Sequence, residues 1–244
     1  MNILAVIPVR MGSSRFPGKP LKKIKGKPMV QRIIENCKKS KIITDLIVAT
    51  CDYEISKFVQ SINHQVVMTS NKHTRASDRV CEAVKKFEKR NKKRYEIIIM
   101  IQGDEPMVNG KMIDMAAKAV IKDKKVNIVN LIGPIRNEME LYNKNTIKVT
   151  YDKKMSAIYL SRSVIPFCKK FKKNFFFKQV CVIPFRKNFL YKYSTLKETK
   201  LEIEESIDML RVIENGFKLK FVKVKEYTHA VDNLKDLKLV ERLI

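Results

Sequence analysis

The chain has 244 residues, of which 45% are hydrophobic, and its 51 Lys and Arg against 25 Asp and Glu give a formal net charge of +26. This length fits one large or two small domains with a sizeable core, and no apolar run approaches the roughly 18 residues of a membrane span. The N-terminus has no basic segment before its first apolar stretch, so we do not expect a signal peptide. Five scattered cysteines without a C-x-x-C pair, together with only three histidines, argue against a zinc site and fit reduced thiols in a cytoplasm.

The positive charge leaves two interpretations open. Such a charge can indicate nucleic-acid binding. The lysines are, however, spread along the whole chain, without a basic arm or a nucleic-acid-binding motif. We favour the alternative, a lysine- and isoleucine-rich composition typical of a low-GC genome, whose field also attracts anionic substrates. We therefore expect no nucleic-acid partner and no membrane insertion.

Strand-like apolar runs alternate with helical patterns in the first half of the chain, which is typical of parallel α/β architecture. The predicted elements there are a strand at 2–9, a helix at 28–39, a strand at 45–49, a helix at 53–61, a strand at 65–68, a helix at 77–91, a strand at 97–101, a helix at 109–122 and a strand at 126–132. This pattern predicts a first part at 1–132.

The pattern changes after Gly133. Strands at 146–151 and 156–160 are predicted to pair, and a further strand follows at 177–186. Residues 202–215 read as one amphipathic helix. Its predicted apolar stripe consists of Ile203, Ile207, Leu210 and Val212 or Ile213. We expect a smaller mixed α+β lobe at 133–244 that returns to the first part near 229–244.

The loop after the first strand combines cations with hydroxyl groups. Arg10, Arg15 and Lys19 surround Ser13 and Ser14. Cations beside open backbone N–H groups after a first buried strand form a site for a polyphosphate. A basic surface turn is the alternative.

Two better-known phosphate motifs do not describe this loop. A Walker loop is excluded because five residues separate Gly12 from Gly18 and because Pro20 replaces the hydroxyl that holds magnesium. The dinucleotide fingerprint G-x-G-x-x-G is absent from the sequence.

A second motif, Gln102-Gly103-Asp104-Glu105-Pro106, follows the predicted strand 97–101. Ligands collect beyond the carboxyl ends of strands in an open α/β sheet, so we expect Asp104 to lie close to Lys19 and its loop. Carboxylate oxygens are ligands that Mg²⁺ prefers, which makes Asp104 the first candidate metal ligand. An ordinary Asp/Gly/Pro turn is the alternative.

Residues 8–21, with the pattern Pro8-x-Arg10-x-x-Ser13-x-Arg15-x-Pro17-Gly18-Lys19-Pro20-Leu21, resemble the nucleotide-binding signature of sugar nucleotidyltransferases. The closer match is to cytidylyltransferases that activate acidic sugars, above all the 3-deoxy-manno-octulosonate (Kdo) cytidylyltransferase family, and Gln102-Gly103-Asp104-x-Pro106 is similar to a further motif of that family. The similarity runs, with gaps in quality, from residue 2 to about residue 240. It implies a Rossmann-like nucleotidyltransferase with a mostly parallel central sheet and a second lobe for sugar binding and dimerisation.

The resemblance implies CTP as the nucleotide. The nucleotide-binding residues that it implies are Pro8, Arg10, Ser13, Ser14, Arg15, Lys19, His73, Arg75, Ala76, Ser77, Arg79 and Gln102. The catalytic residues would be Arg10, Arg15, Lys19 and Asp104. In the family a His-x-Ser-Gly-Thr-Asp/Glu-Arg stretch meets the cytosine. Here Arg75-Ala76-Ser77 replaces Ser-Gly-Thr, so a glycine that permits close backbone approach is lost.

The segment from His229 to Leu237 resembles the family's Gly-x-Asp-Thr-x-x-Asp-Leu. The resemblance makes Asp232 the second ligand of Mg²⁺, the cofactor that we expect. The alternative is that Asp232 or Asn233 only caps the final helix.

Three segments resemble the family's sugar site: Ser161–Pro166, Asn145–Lys148 and Leu201–Arg211. The sugar-binding residues that they imply, together with Gln102, are Lys148, Arg162, Gln179, Glu202, Glu205 and Met209. Arg162 would contact a sugar carboxylate through two parallel hydrogen bonds; the alternative is that Arg162 and Lys148 are surface cations. Lys178-Gln179 stands where the family has Arg-His, and Met209 stands where it has Gln.

The sequence therefore predicts a Mg²⁺-dependent enzyme, a cytoplasmic homodimer, that transfers CMP from CTP to Kdo or a close relative and releases pyrophosphate. A cytidylyltransferase for a sialic-type acid and another sugar nucleotidyltransferase remain open as alternatives. From a different class, so does a basic nucleic-acid-binding protein.

Overall fold

The computed structural model describes residues 1–13 and 15–244. The predicted nucleotide-binding residue Ser14 lies outside the described residues. The strands are β1 Ile3–Pro8, β2 Lys23–Ile24, β3 Lys27–Pro28, β4 Asp45–Thr50, β5 Val66–Met68, β6 Ile97–Ile101, β7 Val129–Pro134, β8 Lys148–Tyr151, β9 Ala157–Ser161, β10 Phe177–Val180, β11 Val182–Arg186 and β12 Lys220–Lys223. The helices are α1 Met29–Cys37, α2 Tyr53–Ser61, α3 Ala76–Asn91, α4 Gly110–Lys122, α5 Glu138–Tyr142, α6 Lys187–Tyr193, α7 Lys200–Glu205, α8 Leu210–Glu214 and α9 Leu234–Leu243, with a 3-10 turn at Lys19–Leu21.

The first sheet has the strand order β11-β6-β1-β4-β5. Its strands β6, β1, β4 and β5 are parallel, and β11 runs antiparallel against β6. Helices cover both faces, which is why β1 and β6 are apolar at nearly every position instead of alternating. The mostly parallel central sheet that we predicted is confirmed.

Alternate residues of β1 belong to two different cores. Ile3, Ala5 and Ile7 pack in the core that includes residues of α1, α4 and α9. Leu4 and Val6 face the opposite core, which includes residues of α3, α6 and α8. This alternation follows from the two-residue period of a strand and fixes the position of the loop at the carboxyl end of β1.

The second sheet has the strand order β12-β7-β10-β8-β9. β12 is parallel to β7, and the other neighbours are antiparallel, including the predicted pair β8 and β9. β12, α5 and α6 were not predicted. β7 crosses the predicted boundary at residue 132, and the division into 1–132 and 133–244 stays a prediction.

The predicted single strand at 177–186 is wrong, because it is two strands in different sheets. β10 lies in the second sheet and β11 in the first. The chain changes sheets at Cys181, whose backbone N–H donates to Glu105 Oε1 at 2.9 Å and whose carbonyl accepts from the Gln102 backbone at 3.0 Å. These partners from the turn after β6 replace strand pairing at this one residue.

The predicted single helix at 202–215 is also wrong. α7 ends at Glu205, and Ser206 has a left-handed φ of 51°. Arg162 donates from Nε to the Glu205 carbonyl at 2.6 Å and from Nη2 to the Ser206 carbonyl at 3.2 Å, so these carbonyls are turned away from a continuous helix. Ile203, placed in the predicted apolar stripe, is 54% exposed, whereas Ile207 is buried as expected.

No helix in the described part of the chain combines the length and the apolar character that crossing a lipid bilayer requires.

Candidate active site

A cavity of about 380 Å³ lies beyond the carboxyl ends of β1 and β6. This volume falls in the range of small-molecule sites, roughly 300–1,000 Å³. Fifteen of the residues predicted for the site line it: Pro8, Arg10, Ser13, Arg15, Lys19, His73, Arg75, Ala76, Arg79, Gln102, Asp104, Arg162, Gln179, Met209 and Asp232. The cavity therefore joins the phosphate loop to the segments predicted for the sugar.

Gly103 allows the turn after β6 to pass close to the end of β1. A Cβ atom at this position would lie 2.2 Å from Val9 Cγ1 and 3.2 Å from the Pro8 carbonyl oxygen. A residue with a side chain would fit here only if the end of β1 or the turn after β6 moved. This close approach brings Asp104 to the loop that follows β1.

Lys19 lies between the two carboxylates that we predicted as metal ligands. Gly18, with a left-handed φ of 70°, turns the loop into the 3-10 turn that Lys19 begins. The ammonium of Lys19 is 3.0 Å from Asp104 Oδ2 and 3.5 Å from Asp232 Oδ1. Burial lowers the pKa of Lys19, but the two carboxylates more than compensate, and the pKa is raised overall. Lys19 therefore stays charged.

Asp232 is positioned by the end of the chain. The Val231 backbone N–H donates to the Asp104 carbonyl at 2.9 Å, which fixes the two carboxylate segments side by side. Asn233 is the N-cap of α9, and Asp236 accepts from the backbone N–H groups of Asp232 and Asn233 at 2.9 and 3.1 Å. Since Asn233 and Asp236 do the capping, the Asp232 carboxylate is left to face the cations.

Two cations, Lys19 and Arg15, and a second carboxylate, Asp104, surround Asp232. Arg15 Nη2 lies 3.0 Å from Asp232 Oδ1. Burial and the neighbouring Asp104 raise the pKa of Asp232 in spite of Lys19 and Arg15. A further cation at this point would relieve the repulsion between the two carboxylates.

The donor atoms fit Mg²⁺. Asp104 Oδ1 is buried and has no hydrogen-bond partner among the described residues. Mg²⁺ is usually held by one or two carboxylates together with waters and substrate phosphates, which matches Asp104 and Asp232. Across residues 1–13 and 15–244, no group of three or more His, Cys, Asp or Glu side chains is placed to hold a metal ion.

Arg79 positions the loop at 73–77, which we predicted to meet the nucleobase, through hydrogen bonds from its side chain. This buried guanidinium donates to Thr69 Oγ1 at 2.6 Å and to the His73 carbonyl at 3.5 Å. Ser77 does not line the cavity; its hydroxyl donates to Asp208 Oδ2 at 3.0 Å. Ala76, where the family has glycine, begins α3 and lines the cavity.

Arg75 connects this loop to the segment between α7 and α8. Its guanidinium donates to Glu198 Oε1 at 2.8 Å and to Ser206 Oγ at 3.2 Å. Asp208 of that segment also lines the cavity, and burial raises its pKa although Arg75 opposes the shift. We did not predict Asp208 as a site residue; the sequence signal was its place beside Met209 in the matched segment.

Arg162 lines the cavity, and backbone carbonyls orient its guanidinium. Besides Glu205 and Ser206, it donates to the Lys144 carbonyl at 3.0 Å. Because arginine has five N–H donors in total, part of the guanidinium remains for a ligand. Burial and the nearby Arg15 lower the pKa of Arg162, so an anionic ligand between the two arginines would be favoured.

Lys148, Glu202 and Glu205, predicted to bind the sugar, do not line the cavity. Lys148 is fully buried and donates to the carbonyls of Asn143, Thr146 and Arg162, and burial together with Arg162 lowers its pKa to about 8. Its ammonium donors are used by the backbone.

The two glutamates also bond to the protein itself. Glu202 is fully buried and accepts from Arg211 at 2.7 and 2.6 Å. Glu205 accepts from Ser161 Oγ at 2.6 Å and from the Arg162 backbone at 2.8 Å. Lys148, Glu202 and Glu205 therefore support the walls of the cavity.

Gln179 and Met209 line the cavity at the positions that depart from the family pattern. Gln179 donates from Nε2 to Asn130 Oδ1 at 2.6 Å, which leaves its carbonyl oxygen for a ligand. Met209 is fully buried and offers only a weak acceptor. The neighbouring Lys178 pairs with Glu140 and donates to the Thr228 carbonyl.

The chain is similar to known proteins along most of its length. A family model described as cytidylyltransferase matches residues 4–225. A protein of Thermodesulfovibrio yellowstonii named 3-deoxy-manno-octulosonate cytidylyltransferase is 39% identical, and the alignment covers 100% of this chain and 98% of that protein.

Two solved structures share the fold. A CMP:2-keto-3-deoxy-manno-octonic acid synthetase complexed with CTP matches with a TM-score of 0.88 at 32% identity, covering 100% of this chain and 98% of that chain. A cytidylyltransferase from Leptospira borgpetersenii has a TM-score of 0.65 at 15% identity, covering 99% and 85%. At such low identity the second match shows the fold alone.

Proposed function

The chain belongs to the 3-deoxy-manno-octulosonate cytidylyltransferase family of sugar nucleotidyltransferases, and from this premise we propose that it transfers CMP from CTP to Kdo or a close relative and releases pyrophosphate. The observation that carries the proposal is the position of Lys19 between Asp104 and Asp232, at the meeting point of the phosphate loop and the sugar-facing segments. The cationic side chains of this cluster can bind a triphosphate, and its carboxylates can bind a metal ion.

In the proposed reaction the anomeric hydroxyl oxygen of the sugar attacks the α-phosphorus of CTP. A new oxygen–phosphorus bond forms, the hydroxyl proton passes to solvent or to a phosphate oxygen of the substrate, and the bond to the bridging oxygen breaks, so that pyrophosphate leaves with the electron pair. Positioning and charge neutralisation dominate catalysis of such transfers. Arg10, Arg15 and Lys19 bind the triphosphate and offset the charge on the leaving group.

We propose that Asp104 and Asp232 hold Mg²⁺. The unpartnered Asp104 Oδ1 supports this assignment. A bound magnesium ion would neutralise phosphate oxygens and polarise the α-phosphorus. Activity should then disappear in excess chelator and return with added Mg²⁺.

We propose that the sugar is acidic because Arg162 and Arg15 both line the cavity and lie close enough to repel each other. A sugar carboxylate would offset the repulsion between the two guanidinium groups. Gln179 and Met209 change two polar groups of the family pattern, so a relative of Kdo with an amino group, or lacking one hydroxyl, could be preferred. Losing one hydrogen bond costs roughly 0.5–1.5 kcal/mol, too little to exclude Kdo itself.

We also propose that the enzyme is a cytoplasmic homodimer. Ile158 of β9 and Ile203 of α7 are exposed apolar residues. Their two elements are connected by the hydrogen bond from Ser161 of β9 to Glu205, the last residue of α7. Such a face offers a contact between two copies. Analytical ultracentrifugation of the unchanged protein and of the variant Ile203→Asp tests the dimer. We expect the unchanged protein to sediment as a dimer and the variant as a monomer.

The deciding experiment measures pyrophosphate release with each of four nucleoside triphosphates against Kdo, sialic-type acids and neutral sugar phosphates. We expect activity with CTP and an acidic sugar. Preference for a neutral sugar phosphate would overturn the assignment of Arg162. Equal use of all four nucleotides would overturn the assignment to CTP.

A further inference from the structure

Asp52 lies at the N-cap of α2, but its side chain does not cap that helix. An aspartate at this position normally accepts a hydrogen bond from a backbone N–H group of the first helical turn. Here the carboxylate makes no such bond. Its Oδ2 instead accepts from the backbone N–H of Met11, 41 residues earlier in the chain, at 2.8 Å. The side chain therefore connects the end of β4 with the loop that follows β1.

This hydrogen bond continues the pairing of β1 with β4 beyond the ends of the two strands. The Val9 backbone N–H still donates to the carbonyl of Ala49, at 2.9 Å. Two residues later, the Met11 N–H meets the carboxylate of Asp52 in place of a carbonyl. Since alternate residues of a strand bond to the same neighbouring strand, Asp52 supplies the next acceptor in the series.

The Met11 peptide unit joins the two ends of the phosphate loop. Its carbonyl accepts from the backbone N–H of Ser13 at 2.8 Å and from that of Gly18 at 3.1 Å. Ser13 lines the cavity, and Gly18 directly precedes Lys19, which lines it as well. The position of Met11 therefore determines where the groups that face the triphosphate lie.

We infer that Asp52 is a positioning residue that anchors the phosphate loop and so sets the affinity for the nucleoside triphosphate. The inference rests on the proposed use of CTP. Asp52 itself does not line the cavity, so it acts through Met11. A negative charge near a triphosphate opposes binding. The contribution of Asp52 therefore comes from its oxygen as a hydrogen-bond acceptor and not from its charge.

A role in α2 alone does not explain this side chain. The helix uses the backbone carbonyl of Asp52, which accepts from the Ser56 N–H at 3.1 Å, and any residue supplies a carbonyl. The Asp52 N–H donates to Thr50 Oγ1 at 3.1 Å, which fixes the backbone from which the carboxylate extends to Met11. Besides Met11, the carboxylate accepts only from the Cys51 thiol, at 3.6 Å, among the described residues.

Three variants of Asp52 separate anchoring from helix capping and from charge. Asp52→Asn keeps an oxygen acceptor for the Met11 N–H, so the Kd for CTP in calorimetric titration should stay within about threefold of the unchanged protein. Asp52→Ser can cap α2 but lacks the carboxylate oxygen that reaches Met11. Asp52→Ala lacks both. Asp52→Ser and Asp52→Ala should each raise the Kd for CTP at least about tenfold, because a hydrogen bond to a charged group is lost.

Two further measurements exclude a merely structural effect. The KM for the sugar, from pyrophosphate release, should stay near that of the unchanged protein in all three variants. With isotope-labelled methionine, hydrogen exchange of the Met11 amide reports the anchor directly. Exchange should be slow in the unchanged protein and Asp52→Asn and faster in Asp52→Ser. Glu54→Gln is the matched control, because it removes the same charge from the exposed first turn of α2 and should leave both readouts unchanged.

Three results would overturn the inference. An unchanged Kd for CTP in folded Asp52→Ser would show that a capped α2 is sufficient. Equal losses in Asp52→Asn and Asp52→Ala would assign the effect to the charge. A raised sugar KM with an unchanged Kd for CTP would separate Asp52 from the triphosphate. Failure of the unchanged protein to bind CTP would instead overturn the proposed function, whereas exchange of the Met11 amide decides the anchor without any nucleotide.

Discussion

Replacing Gly103 with alanine would place a methyl group where two chain segments already touch. The added Cβ would lie 2.2 Å from Val9 Cγ1, more than 1 Å short of an ordinary carbon–carbon contact of about 3.5–4.0 Å. Val9 is buried at the end of β1 and cannot turn into solvent. Either β1 or the turn after β6 must therefore move, and Asp104 moves with the turn.

The expected loss of stability is about 1–3 kcal/mol, the usual cost of inserting a methyl group into a packed core. A displacement of 1 Å at a reacting site can lower turnover about 100-fold, so we expect the activity with CTP to fall by one to two orders of magnitude. Lys19 should also lose part of its contact with Asp104, now 3.0 Å.

A double-mutant cycle with Val9→Ala tests this reasoning. Val9→Ala alone removes two buried methyl groups and should cost about 1.6 kcal/mol. It also removes Cγ1, so the nearest atoms to the added methyl of Gly103→Ala would then be the Pro8 carbonyl oxygen at 3.2 Å and the Cβ of residue 9 at 3.5 Å. We expect a coupling energy of at least about 1 kcal/mol in urea unfolding and a partial return of pyrophosphate release. Additive losses of stability would refute the close contact as the cause.

Lys19→Ala should lower kcat/KM for CTP at least tenfold, about 1.4 kcal/mol of transition-state stabilisation, because it leaves Asp104 and Asp232 without their shared cation. Steady-state kinetics with the fold checked by circular dichroism measures this. Arg162→Ala should raise the sugar KM and leave the KM for CTP nearly unchanged, which the same assay reports. Glu82→Gln should destabilise the protein by about 1–2 kcal/mol at pH 7 in urea unfolding. Lys86, the Ser70 backbone and His73 lower the pKa of Glu82 to about 2 against the effect of burial, so this difference should be present above about pH 4.5 and disappear as the pH falls toward 2.

Each of these expectations has a contrary result. Unchanged kinetics of a folded Lys19→Ala protein would make the phosphate loop a simple turn. A rise in the KM for CTP in Arg162→Ala would place that guanidinium on the nucleotide. A stability difference for Glu82→Gln that is the same at pH 3 and pH 7 would show that the carboxylate charge plays no part.

The first sheet was largely predictable from the sequence because strands buried on both faces leave long apolar runs. β1 and β6 are such runs, and their observed bounds lie within one or two residues of the predicted ones. The exchange of sheets at Cys181 was not predictable, since Val180-Cys181-Val182 contains no glycine, proline or other turn residue to mark a break between β10 and β11. What separates them is pairing with β7 and β6, strands that lie far away in the sequence.

The same distinction applies to the site. Lys19 and Asp104 could be identified because glycine spacing and strand ends place their segments together, whereas Asp232 was identified only from the resemblance of its segment to the family. Lys148 and Glu202 are also charged residues in matched segments, but their charges are satisfied inside the protein, by carbonyls and by Arg211. A sequence pattern shows that a charged side chain is present. Whether that side chain faces the cavity or the protein interior depends on contacts with distant residues.

The return of β11 to the first sheet limits how this protein can be divided. β11 covers the edge of β6, so a fragment that stops near residue 132 would expose the backbone of Ile97–Ile101 along one side. Uncovered apolar edges pair with other chains. A chimera that exchanges only residues 133–244 between relatives would thus also exchange one strand of the first sheet, and the side chains of β6 and β11 would have to be matched for the hybrid to remain monodisperse.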